Sequence, residues 1–410
     1  MRFVLVSTHT DQTTGYSKVA YNLLDQLRGI DNVKLYHFGF QRHPNRASIR
    51  KVPEGVVQYD AAANEDPKEE GFGFNKINEY LEMVNPDVVM IYNDPLIIHK
   101  FIETMKYDRE KSTFKLWIYV DQVYEGIAQP LIDTINKSAH RVYCFTEKWA
   151  KIYKSYGEDH PEIKILEHAV DPVMFTNMTL ATRKNLRSTL KLPVPDNGII
   201  FLNANRNSNR KRLDLMVMAF FKLLKKNPER PLFALFVTNL NPKTGAHYDI
   251  GRIYQEEMKI HGLDLEKYKN NLIMVDTSPP NNITDEMINQ LYNVADIGVN
   301  MSDGEGYGLC QLEHLFTGAP QLVTDVGSYD NFLNDEVSIR VPSTSRSYSA
   351  GTMPLGFIIP GFDVFDITKS MQKIIDNLDK YKEAVSKYNF KSWKEVCSGL
   401  REDLSSLAKK

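Results

Sequence analysis

The stretch "DIGVNMSDGEGYGLCQLEHLF", residues 296–316, carries the pattern that decides the fold. It opens with a short apolar run, continues through a turn with Gly304, Gly306 and Gly308 at alternate positions, and closes with apolar residues at helical spacing. A buried strand followed by a glycine-rich turn and a helix is typical of one unit of a parallel α/β sheet. The stretch therefore predicts an α/β fold with a ligand-binding turn at the carboxyl end of a strand.

Similar units recur on both sides of this stretch. Strand-like apolar runs alternate with helix-period segments through residues 2–170 and again from 198 onward, and the polar, proline-containing segment 171–198 separates the two series. The sequence therefore predicts two doubly wound, Rossmann-like domains, residues 1–180 and 181–388, facing each other across a cleft. The expected strands are 2–7, 33–40, 55–60, 87–94, 114–121, 141–146, 163–170, 198–206, 231–240, 271–276, 296–301 and 320–325.

The composition is that of a protein with ordinary hydrophobic cores. Of the 410 residues, 42% are hydrophobic and 25% are charged, and the formal net charge of -2 gives no general affinity for nucleic acid. The three cysteines are widely spaced, which predicts neither a disulfide framework nor a zinc site and suggests a reducing compartment. No signal peptide is evident, and no run approaches the roughly 18 apolar residues of a membrane span. We therefore expect a cytoplasmic protein, with peripheral membrane contact and a homodimer left open.

Two glutamates stand in and after the glycine-rich turn. Glu305 lies just ahead of the predicted helix, where its carboxylate can reach the hydroxyls of a sugar or ribose beside phosphates held at the helix start. Glu313 shares the inward face of the helix with Leu309 and Phe316, and a buried carboxylate there needs partners such as a ribose diol. The ordinary alternatives are a loop acid at position 305 and a core-edge acid paired with a lysine at position 313.

A second group of polar residues follows the strand at 198–206. Arg206 and Lys211 lie in the turn between this strand and the next predicted helix. Fixed cations at such a position can stabilise the negative charge that a diphosphate leaving group gains. The ordinary alternative is a solvated basic loop that could contact nucleic acid, although aromatic residues that would stack on bases are absent between the basic ones.

Both groups resemble the motifs of family 4 glycosyltransferases, which are retaining enzymes with the GT-B fold. "EGYGLCQLE" (305–313) matches the family's E-x7-E motif, and "NRNSNRKRLD" (205–214) keeps an arginine, lysine and aspartate of a second motif. Asn205 and Arg212 stand where the family has glycines. The resemblance also extends to "FKSW" (390–393) and implies a C-terminal helix, 389–410, that crosses back to the first domain.

The resemblance implies a role for each candidate residue. Arg206 and Lys211 would hold the donor diphosphate, Glu305 would contact hydroxyls of the donor sugar, and Glu313 would bind ribose. The stretch "TTGYSKVAYNLLDQL" (13–27) resembles the family's first glycine loop. The further donor-binding residues would be Gly15 in that loop and Gly306, Tyr307, Gly308 and Leu309 in the second turn. Asp121 stands where the family often has a histidine, and it is a candidate catalytic residue.

These expectations define a metal-independent retaining hexosyltransferase that needs no cofactor. The donor would be a nucleoside diphosphate sugar, with GDP-mannose ranked first and UDP-glucose next, and the acceptor would be a hydroxyl of a glycan, glycoprotein or lipid. A catalytically inactive GT-B-like binder of nucleotide sugars is the main alternative. A nicotinamide-dependent oxidoreductase is disfavoured because no G-x-G-x-x-G follows the strand at 2–7. The neutral net charge disfavours a nucleic-acid binder.

Overall fold

The computed structural model describes residues 1–44, 47–63, 67–281, 283–349 and 354–409. The chain forms two compact units. The first comprises Met1–Asp171, Tyr348–Ile358 and Lys391–Lys410, and the second comprises Pro172–Ser347 and Ile359–Phe390. Each unit contains one parallel sheet with helices in the connections, so the predicted doubly wound α/β class is confirmed.

The first unit is built on a sheet with the strand order β3-β2-β1-β4-β5-β6-β7, and every adjacent pair is parallel. Its strands are β1 Arg2–Thr8, β2 Lys34–Phe40, β3 Val57–Asp60, β4 Val88–Asn93, β5 Lys115–Val120, β6 Arg141–Cys144 and β7 Glu162–Ile165. Its helices are α1 Gly15–Leu27, α2 Ile77–Val84, α3 Pro95–Met105, α4 Gln129–Ser138 and α5 Glu147–Lys154. The order reverses between β1 and β4, and a ligand crevice is expected beyond the carboxyl ends of strands at such a switch point.

The C-terminal helices lie in the first unit, which includes Lys391–Lys410. Their anchor is Asp403, which accepts a hydrogen bond from the hydroxyl of Tyr143 at 2.7 Å. The same carboxylate pairs with Arg141 at 2.9 Å and with Lys164 at 2.5 Å. One carboxylate therefore ties the C-terminal segment to β6 and β7.

The second unit is built on a sheet with the strand order β10-β9-β8-β11-β12-β13, again parallel throughout. Its strands are β8 Ile199–Asn203, β9 Leu232–Thr238, β10 Leu272–Asp276, β11 Ile297–Asn300, β12 Gln321–Thr324 and β13 Ser338–Val341. Its helices are α6 Leu180–Thr189, α7 Leu213–Lys226, α8 Ile250–His261, α9 Leu265–Tyr268, α10 Asp285–Val294, α11 Leu309–Phe316, α12 Tyr329–Phe332, α13 Val364–Asp376 and α14 Leu378–Ser386. The chain leaves this unit and returns through the paired strands β14 Ser345–Tyr348 and β15 Ile358–Gly361, and it ends with α15 Trp393–Val396 and α16 Ser398–Ala408.

The strand order of the second sheet reverses between β8 and β11. The turns that follow these two strands contain both groups of residues that the sequence singles out. Helix α7 buries an apolar face in the core of this unit, with Phe220 and Phe221 inaccessible to solvent, which fixes the turn that precedes it.

The polar segment 171–198, which the sequence predicts only as a connection between the two series, contains helix α6. Arg187 in this helix donates to the carboxylate of Asp296 at 2.7 Å and to the carbonyl oxygen of Gly198 at 3.0 Å. Arg183 of the same helix donates to the carbonyl oxygen of Thr317. This otherwise hydrophilic helix is thus held by its arginine side chains rather than by an apolar face. Among the described residues, no helix is both long enough and apolar enough to cross a membrane.

Candidate active site

The turn after β11 requires glycine at its last position. Gly308 is the N-cap of α11 and has a φ of 94°, in the left-handed region. A Cβ atom at this position would lie 2.4 Å from Cε1 of Tyr329, which is fully buried. Because Leu309 is the first residue of α11, its N–H has no acceptor within the helix and points outward from the helix start. The turn therefore offers the backbone geometry of an anion site.

We expect Gly308→Ala to lower the free energy of unfolding by about 1–3 kcal/mol, because alanine is strained at this φ and must displace the Tyr329 ring. Urea denaturation measures the change. The matched control is Gly157→Ala, since nothing lies within 4 Å of a Cβ at Gly157. Equal stability of the Gly308 and Gly157 variants would contradict the steric account.

The two groups of predicted residues meet in an ion pair. Nζ of Lys211 donates to Oε2 of Glu305 and also to the side-chain oxygen of Asn205, at 3.1 Å. Lys211 is 7% exposed and Glu305 is 9% exposed, so the pair is largely shielded from water. Arg210 adds a second cation: it donates to the carbonyl oxygen of Gly304 and lies 3.7 Å from Oε1 of Glu305. The turn after β8 thus supplies the positive charge for the turn after β11.

The environment of this pair lowers the pKa of both side chains, which favours the charged form of Glu305 but disfavours that of Lys211. Burial lowers the pKa of Lys211, and the neighbouring charge of Glu305 opposes that shift without cancelling it. Burial alone would raise the pKa of Glu305, but the charges of Lys211 and Arg210 and hydrogen bonds from Lys211 and Asn300 outweigh it. The net pKa of Glu305 lies below its ordinary value, so this carboxylate is ionised at neutral pH.

A buried polar network surrounds Glu305. The side-chain nitrogen of Asn300 lies 3.1 Å from Oε2 of Glu305 and 2.6 Å from the hydroxyl oxygen of Tyr329. Ser302 donates its hydroxyl to the side-chain oxygen of Asn300, and Tyr329 donates to the side-chain oxygen of Gln311 at 3.1 Å. Oε2 of Glu305 is therefore fully engaged, whereas Oε1 faces Arg210 beyond hydrogen-bond distance and retains capacity to accept a hydroxyl.

Asn205 and Arg212, which stand where the family 4 motif has glycines, each have side-chain partners in the structure. Asn205 is buried, and its side-chain nitrogen donates to the side-chain oxygen of Asn203 at 3.0 Å while its oxygen accepts from Lys211. Arg212 adopts the left-handed conformation, with a φ of 44°, where glycine would be less strained. Its guanidinium forms two parallel hydrogen bonds to Asp214, at 3.0 and 2.9 Å. This bidentate contact offsets part of the backbone strain.

Apart from Gly15, the other predicted donor residues lie in the second unit as well. Arg206 is exposed in the turn after β8, and its guanidinium forms no ion pair with any carboxylate among the described residues. Glu313 is 2% exposed and accepts a hydrogen bond from the hydroxyl of Tyr292 at 3.2 Å. Gly306 and Tyr307 are buried within the turn. Among the predicted residues, Lys211 and Glu305 contact each other directly. The ligand roles of all of them stay predictions.

The two candidates in the first unit lie close to each other. Gly15 is the first residue of α1, and Tyr16 next to it donates its hydroxyl to the carboxylate of Asp121 at 2.5 Å. Burial, and then the charge of Asp121, raises the pKa of Tyr16 well above its ordinary range. Asp121 follows β5 and is half-buried. The catalytic role of Asp121 stays a prediction.

Three residues of the site were not singled out from the sequence: Arg210, Asn300 and Tyr329. The sequence gives one indication of Arg210, because this residue precedes Lys211 in a basic turn. The spacing alone, however, gives no reason to choose among three consecutive cations. Asn300 is the one polar residue of an otherwise apolar strand, which is the pattern of a buried group with a partner. Tyr329 lies far along the chain, and only the fold brings it to the turn.

The sequence matches no established protein-family profile and no curated protein sequence. Solved structures do resemble it. Sucrose-phosphate synthase from Thermosynechococcus elongatus has a TM-score of 0.70 at 14% identity, with 99% of each chain covered. Anabaena HepE in complex with UDP and glucose has a TM-score of 0.64 at 12% identity, covering 99% of this chain and 100% of that one. An α,α-trehalose-phosphate synthase (UDP-forming) from Burkholderia xenovorans, in complex with glucose-6-phosphate, has a TM-score of 0.66 at 11% identity, covering 100% and 99%. At these identities the likeness establishes the fold, which is that of GT-B glycosyltransferases.

Proposed function

We propose that the protein is a glycosyltransferase that moves a hexose from a nucleoside diphosphate sugar to an acceptor hydroxyl. The observation that carries the proposal is the buried Lys211–Glu305 ion pair at the switch point of the second sheet, beside the start of α11. Sheets of this class bind ligands at that point, and helix starts bind phosphate. The structural neighbours support the same chemistry, because one is a UDP-forming synthase and another holds UDP and glucose.

In this proposal the cations stabilise the leaving group. Lys211, Arg210 and the exposed Arg206 supply positive charge for the diphosphate, which gains negative charge as its bond to the sugar breaks. The N–H of Leu309 adds a donor at the start of α11. Oε1 of Glu305 accepts a hydroxyl of the donor sugar, and Glu313 binds the ribose. Because these groups provide the charge stabilisation, the reaction as proposed requires no metal ion.

The proposed transfer retains the configuration of the sugar and occurs on one face. The bond between the anomeric carbon and the phosphate oxygen breaks while the acceptor oxygen bonds to the same face of that carbon. The acceptor's proton passes to the departing phosphate, so no separate protein base is needed for it. Fixed charges around the phosphate make this step feasible because they stabilise charge as it develops.

Two donors are proposed, from different lines of support. The family resemblance ranks GDP-mannose first, whereas the neighbours that carry or form UDP favour UDP-glucose. The acceptor is a hydroxyl of a glycan, glycoprotein or lipid. The inactive-binder alternative makes the same contacts to the donor but performs no transfer.

The test is an assay of the purified protein with each donor, with and without a chelator. Calorimetry measures donor binding, release of UDP or GDP measures turnover, and NMR of the product measures the anomeric configuration. We expect one of the two donors to be bound and turned over with retention and without added metal. Binding without turnover of either donor would favour the inactive binder, and the absence of binding would reject the proposal.

A further inference from the structure

Asn205 stands in the turn after β8 at a position where the family 4 motif has a glycine. The side chain is buried, and its oxygen lies 3.1 Å from Nζ of Lys211. A glycine at this position would offer the ammonium group no side-chain acceptor. The departure from the motif thus places a second acceptor beside the ion pair of Lys211 with Glu305.

The neighbours of Asn205 settle which way its amide group points. An ammonium group can only donate, so the amide oxygen must face Lys211. The amide nitrogen and the backbone N–H of Asn205 both donate to the side-chain oxygen of Asn203, at 3.0 and 3.1 Å. The backbone carbonyl of Asn205 accepts the hydroxyl of Thr238 at 2.6 Å. The amide oxygen is therefore held in place by contacts within the second unit.

Lys211 depends on this acceptor because its carboxylate partner is shared. Oε2 of Glu305 accepts from Lys211 and also from the side-chain nitrogen of Asn300, at 3.1 Å. Burial lowers the pKa of Lys211, the charge of Glu305 opposes this shift, and the like charge of Arg210 adds to it. The titratable groups that act on Lys211 come from the turns after β8 and β11 and from α11, and they are Arg210, Glu305 and Cys310. A buried ammonium in this setting needs each hydrogen bond that favours its charged form.

We propose that Asn205 is a positioning residue that, together with Glu305, holds the ammonium group of Lys211 charged and in place beside the proposed donor site. The inference rests on the proposed glycosyl transfer, in which Lys211 stabilises the leaving diphosphate. It adds that the side chain at position 205 sets the upper pH limit of turnover. Above that limit Lys211 loses its proton, and the diphosphate loses a fixed cation.

The test uses two variants that nearly keep the shape of the side chain. Asn205→Leu removes the acceptor, so the pKa of Lys211 should fall below its wild-type value and the alkaline limit of turnover should move to lower pH. Asn205→Asp adds a second carboxylate, so both should move to higher pH. At neutral pH we expect Asn205→Leu to lower turnover at saturating donor about tenfold, which is the effect of losing one hydrogen bond to a charged group.

The titration of Lys211 is measured directly and without substrate. Protein labelled with ¹³C at Cε of lysine is titrated by NMR, and the signal of Lys211 is identified by its absence in Lys211→Met. Turnover is measured over the same pH range as release of UDP from UDP-glucose and of GDP from GDP-mannose. Asn205→Gly, which carries the family's residue, is a second variant without an acceptor and should shift both quantities in the same direction as Asn205→Leu.

The matched control is Asn289→Leu in α10. Asn289 is also buried in the second unit, and its side chain exchanges hydrogen bonds with Thr176 at 3.1 and 3.2 Å. The control should lower the free energy of unfolding but leave the titration of Lys211 and the pH limit of turnover unchanged. This is the response to the loss of an asparagine that has only a structural role.

The inference would be overturned by a pKa of Lys211 that is unchanged in Asn205→Leu, or that moves in the same direction in the leucine and aspartate variants. A turnover profile of Asn205→Leu that matches the wild type at every pH would also overturn it. If the wild type turns over neither donor, the proposed function itself fails. The NMR titration then still decides whether Asn205 holds the charge of Lys211.

Discussion

Replacing Lys211 with methionine is expected to lower turnover about 10²-fold or more, because the donor diphosphate loses a preorganised cation. Methionine fills similar volume, so the change removes charge rather than packing. The substitution also leaves Glu305 buried without its main partner, which is expected to lower the free energy of unfolding by about 3 kcal/mol. Turnover at saturating donor and urea denaturation measure the two effects.

A second substitution separates these effects. In the double variant Lys211→Met/Glu305→Gln neither charge is left unpaired, so most of the stability should return while turnover stays low.

Arg206→Met offers the converse case: its side chain is exposed, so turnover should fall about 10²-fold with stability changed by no more than about 0.5 kcal/mol. The control is Lys226→Met on the exposed end of α7. Near-normal turnover in both the Lys211 and the Arg206 variants would contradict their assigned role.

The fold was predictable because its signals are local. Each expected strand is a short apolar run between turn residues, and each reappears close to its expected bounds, as with 2–7 for β1 and 296–301 for β11, except that the strand expected at 163–170 ends at Ile165. Helix α6 could not be predicted because it has no continuous apolar face and its attachment depends on Arg183 and Arg187 reaching Thr317 and Asp296. A contact between residues so far apart along the chain leaves no periodicity in the sequence.

The candidate site was predictable where a motif has fixed spacing. The pairing of Lys211 with Glu305 joins two such motifs, and each was found by its own pattern. Asn300 and Tyr329 were not found, because their importance arises only when β11, α11 and α12 come together. The sequence shows that Asn205 replaces a glycine, but only the fold brings its side chain into contact with Lys211.

Glu305→Gln is expected to lower turnover strongly and to change how the stability of the protein depends on pH. Glutamine keeps the shape and removes the charge, so turnover should fall about 10²-fold if the carboxylate orients the donor sugar in the transition state. The folded protein holds the pKa of Glu305 below its ordinary value of 4.5. Its ionised form therefore stabilises the folded state at pH above that value, and this contribution is lost as the pH falls through the folded pKa.

At neutral pH, Glu305→Gln should accordingly be less stable than the wild type by about 3–5 kcal/mol, because Lys211 stays buried without a counter-charge. On acidification the wild type loses the stabilisation that ionised Glu305 provides, whereas the variant has no such stabilisation to lose. The difference in free energy of unfolding between the two proteins, called the gap below, should therefore become smaller. Urea denaturation across the acid range measures that gap.

The control for this comparison is Glu383→Gln. Glu383 pairs with Lys387 at 2.6 Å on an exposed helix, and its pKa is also lowered, by the hydrogen bond from that lysine. Water screens this pair, so the control should show little change in stability at any pH. A gap for Glu305→Gln that is small at neutral pH, or that does not narrow with acid, would mean that the buried ion pair does not stabilise the ionised carboxylate. The same outcome would remove the electrostatic basis for placing a donor diphosphate beside it.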